Sequence, residues 1–367
     1  MLDMDLIHRF RNTVNANGFT FFKYSKNQNK NQWNCICSAM DWITVAVEHL
    51  NECPVGRIRS LSSLEMYSYI ASCDIIIEAI QQLHRVIFST PATVFEKDRN
   101  CFSDNQFNQT DLIYFKTIRS CFGAHPVNLN EPGNEDNRAM RRFASWSGGS
   151  WSEGYFSVIL YSNQLDGANI HLSICFKQII DFVQKHYNYL EVLIKELTRQ
   201  YAEFCLEMQK SRFFCEGSPV ERLLILQHES KLRLNKDYYR STIDELLLIF
   251  STPISAPENI ELVGEYCNAL VDLIDEIYHN LQEMSLDELE NDKLLQLSPK
   301  GLPNGWGYWY EKLSENVFGN GYPPELWLSR IEDIFAGKFE FSYESIQELF
   351  VLAQAAIYRL SKQEGLL

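Results

Sequence analysis

Asp111-Leu112-Ile113-Tyr114-Phe115-Lys116-Thr117-Ile118-Arg119-Ser120-Cys121-Phe122-Gly123-Ala124-His125-Pro126 is the stretch on which the reading of this chain turns. Leu112, Phe115, Ile118 and Phe122 recur every three or four residues, the spacing of one buried face of an α-helix. Gly123 loosens the last turn and Pro126 pushes His125 out of the helical region, so the helix is expected to end between those two. Arg119 and His125 then sit together at a helix end, a permanent cation beside a titratable imidazole.

The pattern on either side is helical too. From Trp33, the positions Ile36, Met40, Ile43, Val47 and Leu50 predict a helix ending near Glu52-Cys53-Pro54. A longer helix over roughly 60–88 is marked by Leu64, Tyr67, Cys73, Ile77, Ile80, Leu83 and Ile87. Another over roughly 176–208 carries Ile179, Phe182, Tyr189, Leu193, Leu197 and Phe204 on one face. With the central stretch these make a four-helix bundle across 31–215. It follows an N-terminal segment, 1–30, expected to hold a short helix and an extended piece over Phe19–Tyr24.

An insertion at 127–175 separates the third bundle helix from the fourth. Its first part reads as polar and glycine-rich loops containing Arg138, Arg141 and Arg142. Then Phe156, Val158 and Leu160 alternate with polar neighbours before Asp166-Gly167, and Ile170, Leu172 and Ile174 do so after it. Two such runs around a tight turn predict a β-hairpin, the only β element expected. Gly217-Ser218-Pro219 reads as a boundary, and 216–367 as an all-helical second domain. Its helices are expected near 219–234, 236–251, 257–283, 286–297, 324–336 and 342–362, with an aromatic loop at Gly301–Tyr310. The expected fold class is mainly α: a helical bundle with a β-hairpin insertion, followed by a second all-helical domain.

The net charge of −15 is unevenly placed. Residues 216–367 hold 26 acidic and 12 basic groups, whereas 1–215 hold 22 and 21. A polyanion is repelled by the first set and tolerated by the second, so nucleic-acid contact is expected before residue 215. The ten cysteines form no Cys-x-x-Cys pair and mostly lie in apolar-periodic segments, where a thiol acts as a small hydrophobe. Neither a metal site nor a disulfide framework is expected, and the pattern suits a reducing cytoplasm. The N-terminus lacks a basic region followed by an apolar run, and no window approaches the length of a membrane span. Phosphate-loop, dinucleotide, serine-esterase and zinc-protease signatures are all missing.

An Arg-x5-His spacing, Arg119 to His125, at the end of the third helix of a bundle resembles the Arg-x4–6-His motif of the HEPN superfamily. The resemblance covers roughly residues 31–215. It implies a metal-independent endoribonuclease without cofactor, acting in toxin or antiviral defence systems. It also implies a homodimer with the motif at the two-fold interface, and it allows for a protein antidote or regulatory partner. The family motif commonly has Asn, Asp or His directly after the arginine; here Ser120 stands there. In such a site His125 serves as general acid or base and Arg119 steadies phosphate charge. Lys116, Ser120, Arg138, Arg141 and Arg142 are the candidate RNA-binding residues, with Phe143 and Trp146 interleaved.

Without the resemblance, two plainer readings stay open. Arg119 and His125 suit capping of helix carbonyls, or pairing with a carboxylate such as Asp111 or Glu131. The arginine cluster suits pairing with Glu131, Glu135 and Asp136. The matching functional alternative is a non-catalytic helical scaffold or sensor that binds a protein partner or nucleotide.

Overall fold

Buried apolar side chains at helical spacing assemble the first part of the chain, as the computed structural model shows. It describes residues 1–26, 29–52, 63–124, 127–132, 140–145, 154–299, 302, 305–319, 329, 331, 333–335 and 342–366. The chain divides into two compact units, Met1–Ala202 and Glu203–Leu367. Among the described residues, no helix is long and apolar enough to cross a membrane.

In the first unit, α1 (Met4–Asn15) and α2 (Phe19–Tyr24) precede α3 (Trp33–Glu52), α4 (Ser63–Ile87) and α5 (Asp111–Arg119). The expected core positions of α3, namely Ile36, Met40, Ile43, Val47 and Leu50, are all buried. Phe19–Tyr24 is a helix rather than an extended piece, because Phe19, Thr20 and Tyr24 at helical spacing are what the core receives. On α4 the buried face runs through Met66, Ile70, Cys73, Ile77 and Ile80, so Leu64 and Tyr67, expected inside, are exposed. The fourth bundle helix is broken into α6 (Phe176–Asn188) and α7 (Leu190–Lys210). Tyr189 stands at the break, its hydroxyl 3.0 Å from His84 Nδ1, and is only partly buried.

Four antiparallel strands, β1 (Leu129–Asn130), β2 (Arg141–Ser145), β3 (Tyr155–Ser162) and β4 (Ile170–Cys175), form one sheet in chain order. The expected hairpin is present as β3 and β4. Phe156, Val158, Leu160, Leu172 and Ile174 face inward and join the helical core. Strands β1 and β2 occupy segments that read as loops. Their pattern hid them: on β2 the inward positions are Arg142 and Ala144, while the apolar Phe143 faces out.

The division into units falls within α7, before the Gly217-Ser218-Pro219 break. The end of α7 belongs with the second unit: Gln282 Nε2 donates to the Gln209 carbonyl, and Arg233 Nη2 to the carbonyls of Met208 and Ser211. At that break Ser218 and Glu221 form a capping box with Pro219 in the first turn of α8 (Pro219–Leu232). The unit continues with α9 (Asp237–Ser251), α10 (Pro257–Glu283), α11 (Trp306–Phe318) and α12 (Ile346–Gln363). Leu349 to Ile357 of α12 are buried without interruption. The segment expected as a helix at 286–297 holds only a single 3-10 turn, Asp292–Leu295. Trp306 to Tyr310 open α11 instead of forming a loop, and most of 324–336 lies outside the described residues.

Candidate functional site

The start of α5 is fixed by a buried carboxylate. Asp111, at the first helical position, accepts from the backbone N–H groups of Asn100 at 2.9 Å, Cys101 at 3.1 Å and Phe102 at 3.4 Å. Its own N–H donates to the Asp98 carbonyl at 2.8 Å. The polar loop before α5 is thereby tied to the helix, which points Leu112, Phe115 and Ile118 into the core. Asp111 is therefore no partner for Arg119.

Helical geometry changes at the C-terminal end of α5. The α-helix closes at Arg119 and continues as a π-helical segment, Ser120–Ala124, so helical turns run to the residue before His125. Such π segments are rare and concentrate at functional sites. The Ser120 hydroxyl donates to the Lys116 carbonyl at 2.8 Å, which engages the proton it would offer a phosphate. His125 and Arg138 lie outside the described residues.

Arg119 finds its carboxylate on α4. Its Nε lies 2.9 Å from Asp74 Oδ2, and 45% of the arginine side chain stays exposed against 14% for Asp74. Burial pushes the Asp74 carboxyl up; Arg119, and more weakly Lys116, oppose that rise, while Glu78 adds to it. The pair lines a depression of about 240 Å³ with Tyr67, Ile70 and Phe122. Sequence reasoning missed Asp74. Its signal was a single acid inside the apolar run Ile70-Ala71-Ser72-Cys73-Asp74-Ile75-Ile76-Ile77.

A second and larger cleft, about 540 Å³, opens between α5 and strands β1 and β2. Lys116, Thr117, Ser120, Asn128, Asn130 and Arg141 are among its walls. Three of the candidate RNA-binding residues, Lys116, Ser120 and Arg141, thus share one cleft, and Arg119 lines its neighbour. Arg141 is held at the main chain by Asn163, whose Oδ1 accepts from Arg141 N–H at 3.0 Å. Its guanidinium also contacts Asn130 Oδ1.

Arg142 is corrected out of the RNA-binding set. It faces inward at 5% exposure and clasps Glu131 with two bonds, Nε to Oε2 and Nη2 to Oε1, the second at 2.9 Å. Its Nη1 donates to the Ala168 carbonyl at 2.6 Å. A buried fork already matched to a carboxylate has no edge for phosphate. The plainer reading, pairing with Glu131, holds for this arginine. Nine cysteines, all free, are described, and burial pushes Cys101 up to about 11 and Cys121 up to about 12.

No family model, curated protein or solved structure matches this chain.

Proposed function

We propose that this protein is a metal-independent endoribonuclease whose site is centred on Arg119 and His125. The observation that carries the reading is the state of Arg119: a half-exposed guanidinium on the last α-helical turn, steadied through Nε by a largely buried carboxylate. A fork held at one edge keeps its remaining N–H groups for oxygens of a phosphate. The adjacent cleft supplies two further cations, Lys116 from the same helix and Arg141 from β2.

In the proposed reaction the 2′-hydroxyl of RNA attacks the neighbouring phosphorus and the 5′-oxygen leaves, giving a 2′,3′-cyclic phosphate and a 5′-hydroxyl end. His125 takes the attacking proton or delivers one to the leaving oxygen, since imidazole titrates near neutrality. Arg119 offsets the charge that grows on the phosphorane oxygens. Two copies are proposed to pair at this end of the bundle. In support, a mostly apolar groove of about 340 Å³ with the half-exposed Trp42 runs between α3 and α4, and its Ile75 also lines the Arg119 depression.

Incubating cellular RNA with the purified chain in the presence of chelator tests the proposal. Cleavage with cyclic-phosphate ends is expected, lost in His125→Ala and in Arg119→Ala. Intact RNA, or cleavage that both variants retain, overturns it. A second reading, a non-catalytic scaffold or sensor, is favoured by one observation: Ser120 and Arg142 are both engaged within the protein.

A further inference from the structure

One face of the sheet lies away from the helical core. Side chains alternate along each strand, and register fixes which of them share a side. Arg142, Ala144, Phe156, Val158, Leu160, Leu172 and Ile174 face the core. The opposite side therefore carries Arg141, Phe143 and Ser145 of β2, Tyr155, Ser157, Ile159 and Tyr161 of β3, and His171 and Ser173 of β4.

Phe143 and Tyr161 are directly opposed across β2 and β3, and both are open to solvent at 39% and 40%. The next outward pairs are Ser145 with Ile159 and Ile159 with His171. Two large rings thus stand side by side outside the buried core, each with more than a third of its surface in water. Nothing acidic stands on any of the four strands, in a protein whose net charge is −15. Asp104 lies near the far end of the face, by Tyr155. At the near end stands Arg141, two residues from Phe143, which is about 7 Å along a strand. Arg141 also lines the cleft shared with Lys116. The cleft and the aromatic pair are thus continuous through one cation.

We infer that this face is a stacking platform for single-stranded RNA, with one base on Phe143, the next on Tyr161, and the backbone led past Arg141 into the cleft. The inference rests on the ribonuclease reading and names its substrate class. Aromatic rings on a sheet bind bases without reading their sequence, because each base presents a π face. A duplex keeps its bases stacked on one another and offers the rings nothing. Ser157, Ser173 and His171 supply neutral or weakly basic neighbours instead of charges that would repel the backbone.

The test is binding, kept separate from turnover by using the full chain with His125→Ala and a labelled short oligoadenylate read by fluorescence anisotropy. Phe143→Ala and Tyr161→Ala are each expected to weaken binding by about five- to a hundredfold. Phe143→Tyr and Tyr161→Phe keep the rings and are expected to keep parental affinity, which separates stacking from misfolding. A fully paired RNA of equal length is expected to compete poorly. Alanine variants that bind as the parent does, a duplex that competes equally, or a parent that does not bind the oligoadenylate overturn the inference. The two readings fail differently. RNA that stays uncut while the rings still govern binding sinks the nuclease and leaves the platform, and normal cleavage with indifferent rings does the reverse.

Discussion

Asp74 Oδ2 lies 2.9 Å from Arg119 Nε and joins the middle of α4 to the last turn of α5. The two ends of this contact differ in environment. Asp74 is largely buried, and burial pushes its carboxyl up even with a guanidinium beside it. Arg119 is half in water. The contact therefore aims an exposed cation more than it stabilises the fold, since ion pairs that reach solvent contribute little, about 0–1 kcal/mol.

Removing the charge of Asp74 separates those roles. Asp74→Asn is expected to leave the thermal midpoint close to the parent's and to lower the cleavage rate constant about ten- to a hundredfold through a misplaced Arg119. Steady-state kinetics on a defined RNA should place the loss in kcat rather than KM. Parental kcat in Asp74→Asn would make the contact structural only.

Lys116 and Arg141 should act on affinity instead. If RNA follows the proposed path, each neutralises one phosphate from the cleft wall, so Lys116→Ala and Arg141→Ala are each expected to reduce the slope of log affinity against log salt by about one. Arg142→Ala, by contrast, should leave that slope unchanged in whatever fraction stays folded. The measurement is oligonucleotide binding across a salt series, and equal slopes in parent and variants would remove the cleft from the RNA path.

The helices were legible because their apolar stripes are long. Ile36 to Leu50 of α3 and Leu112 to Phe122 repeat a buried face often enough to fix both period and phase. The hairpin was legible because β3 and β4 alternate cleanly about Asp166-Gly167. Strands β1 and β2 were not, since β1 is two residues long and β2 turns Arg142 inward and Phe143 outward. Of the site, the helix end and Arg119 could be read from local spacing. Asp74 could not be assigned to Arg119, because a contact between α4 and α5 leaves no periodic trace. The fate of Arg142 was equally hidden: its carboxylate, Glu131, was nameable, but the burial that makes the pair obligatory was not.

That burial has a cost that a mutation can expose. Glu131→Leu leaves the inward guanidinium of Arg142 without its anion, which is expected to destabilise the first unit by about 3 kcal/mol. Arg142→Met alone is expected to cost a similar amount by stranding Glu131. The double variant Glu131→Leu with Arg142→Met should recover most of the loss, because a matched apolar pair needs no compensation. Denaturant melts in a double-mutant cycle give the coupling directly. Additive losses would show that the two residues act independently.

In the second unit the half-buried Glu245 receives a hydrogen bond from Gln354 Nε2 at 2.7 Å, and burial pushes its carboxyl above the ordinary 4.5. The folded chain then keeps this proton to higher pH than the unfolded chain does. The stability it confers is complete below about 4.5 and is lost as pH rises through the raised value. Glu245→Gln retains an acceptor for Gln354 and removes the charge. At neutral pH it is expected to raise the midpoint of this unit by about 2–4 °C, a gain of about 1 kcal/mol, and the gain should vanish in acid. A gain that persists unchanged in acid would locate its origin elsewhere.

His186 gives the first unit the opposite sign. It is fully buried on α6, edge-on to Phe95 and Phe182, with Nδ1 3.0 Å from the Phe182 carbonyl. A carbonyl can only accept, so Nδ1 carries the proton and Nε2 is the bare nitrogen; it has no partner among the described residues. Burial pushes the imidazole below its ordinary 6.5, Lys185 adds to that, and the Phe182 carbonyl, Asp111 and Asp98 oppose it. The neutral ring's contribution is therefore complete above about 6.5 and lost as pH falls through the lowered value. Protection of the α6 amides against hydrogen exchange, corrected for intrinsic rates, is expected to drop between neutral pH and pH about 5. In His186→Phe, which keeps an aromatic ring and cannot charge, the protection should be the same at both. If the variant lost protection on acidification as the parent does, the proton would be binding somewhere other than His186.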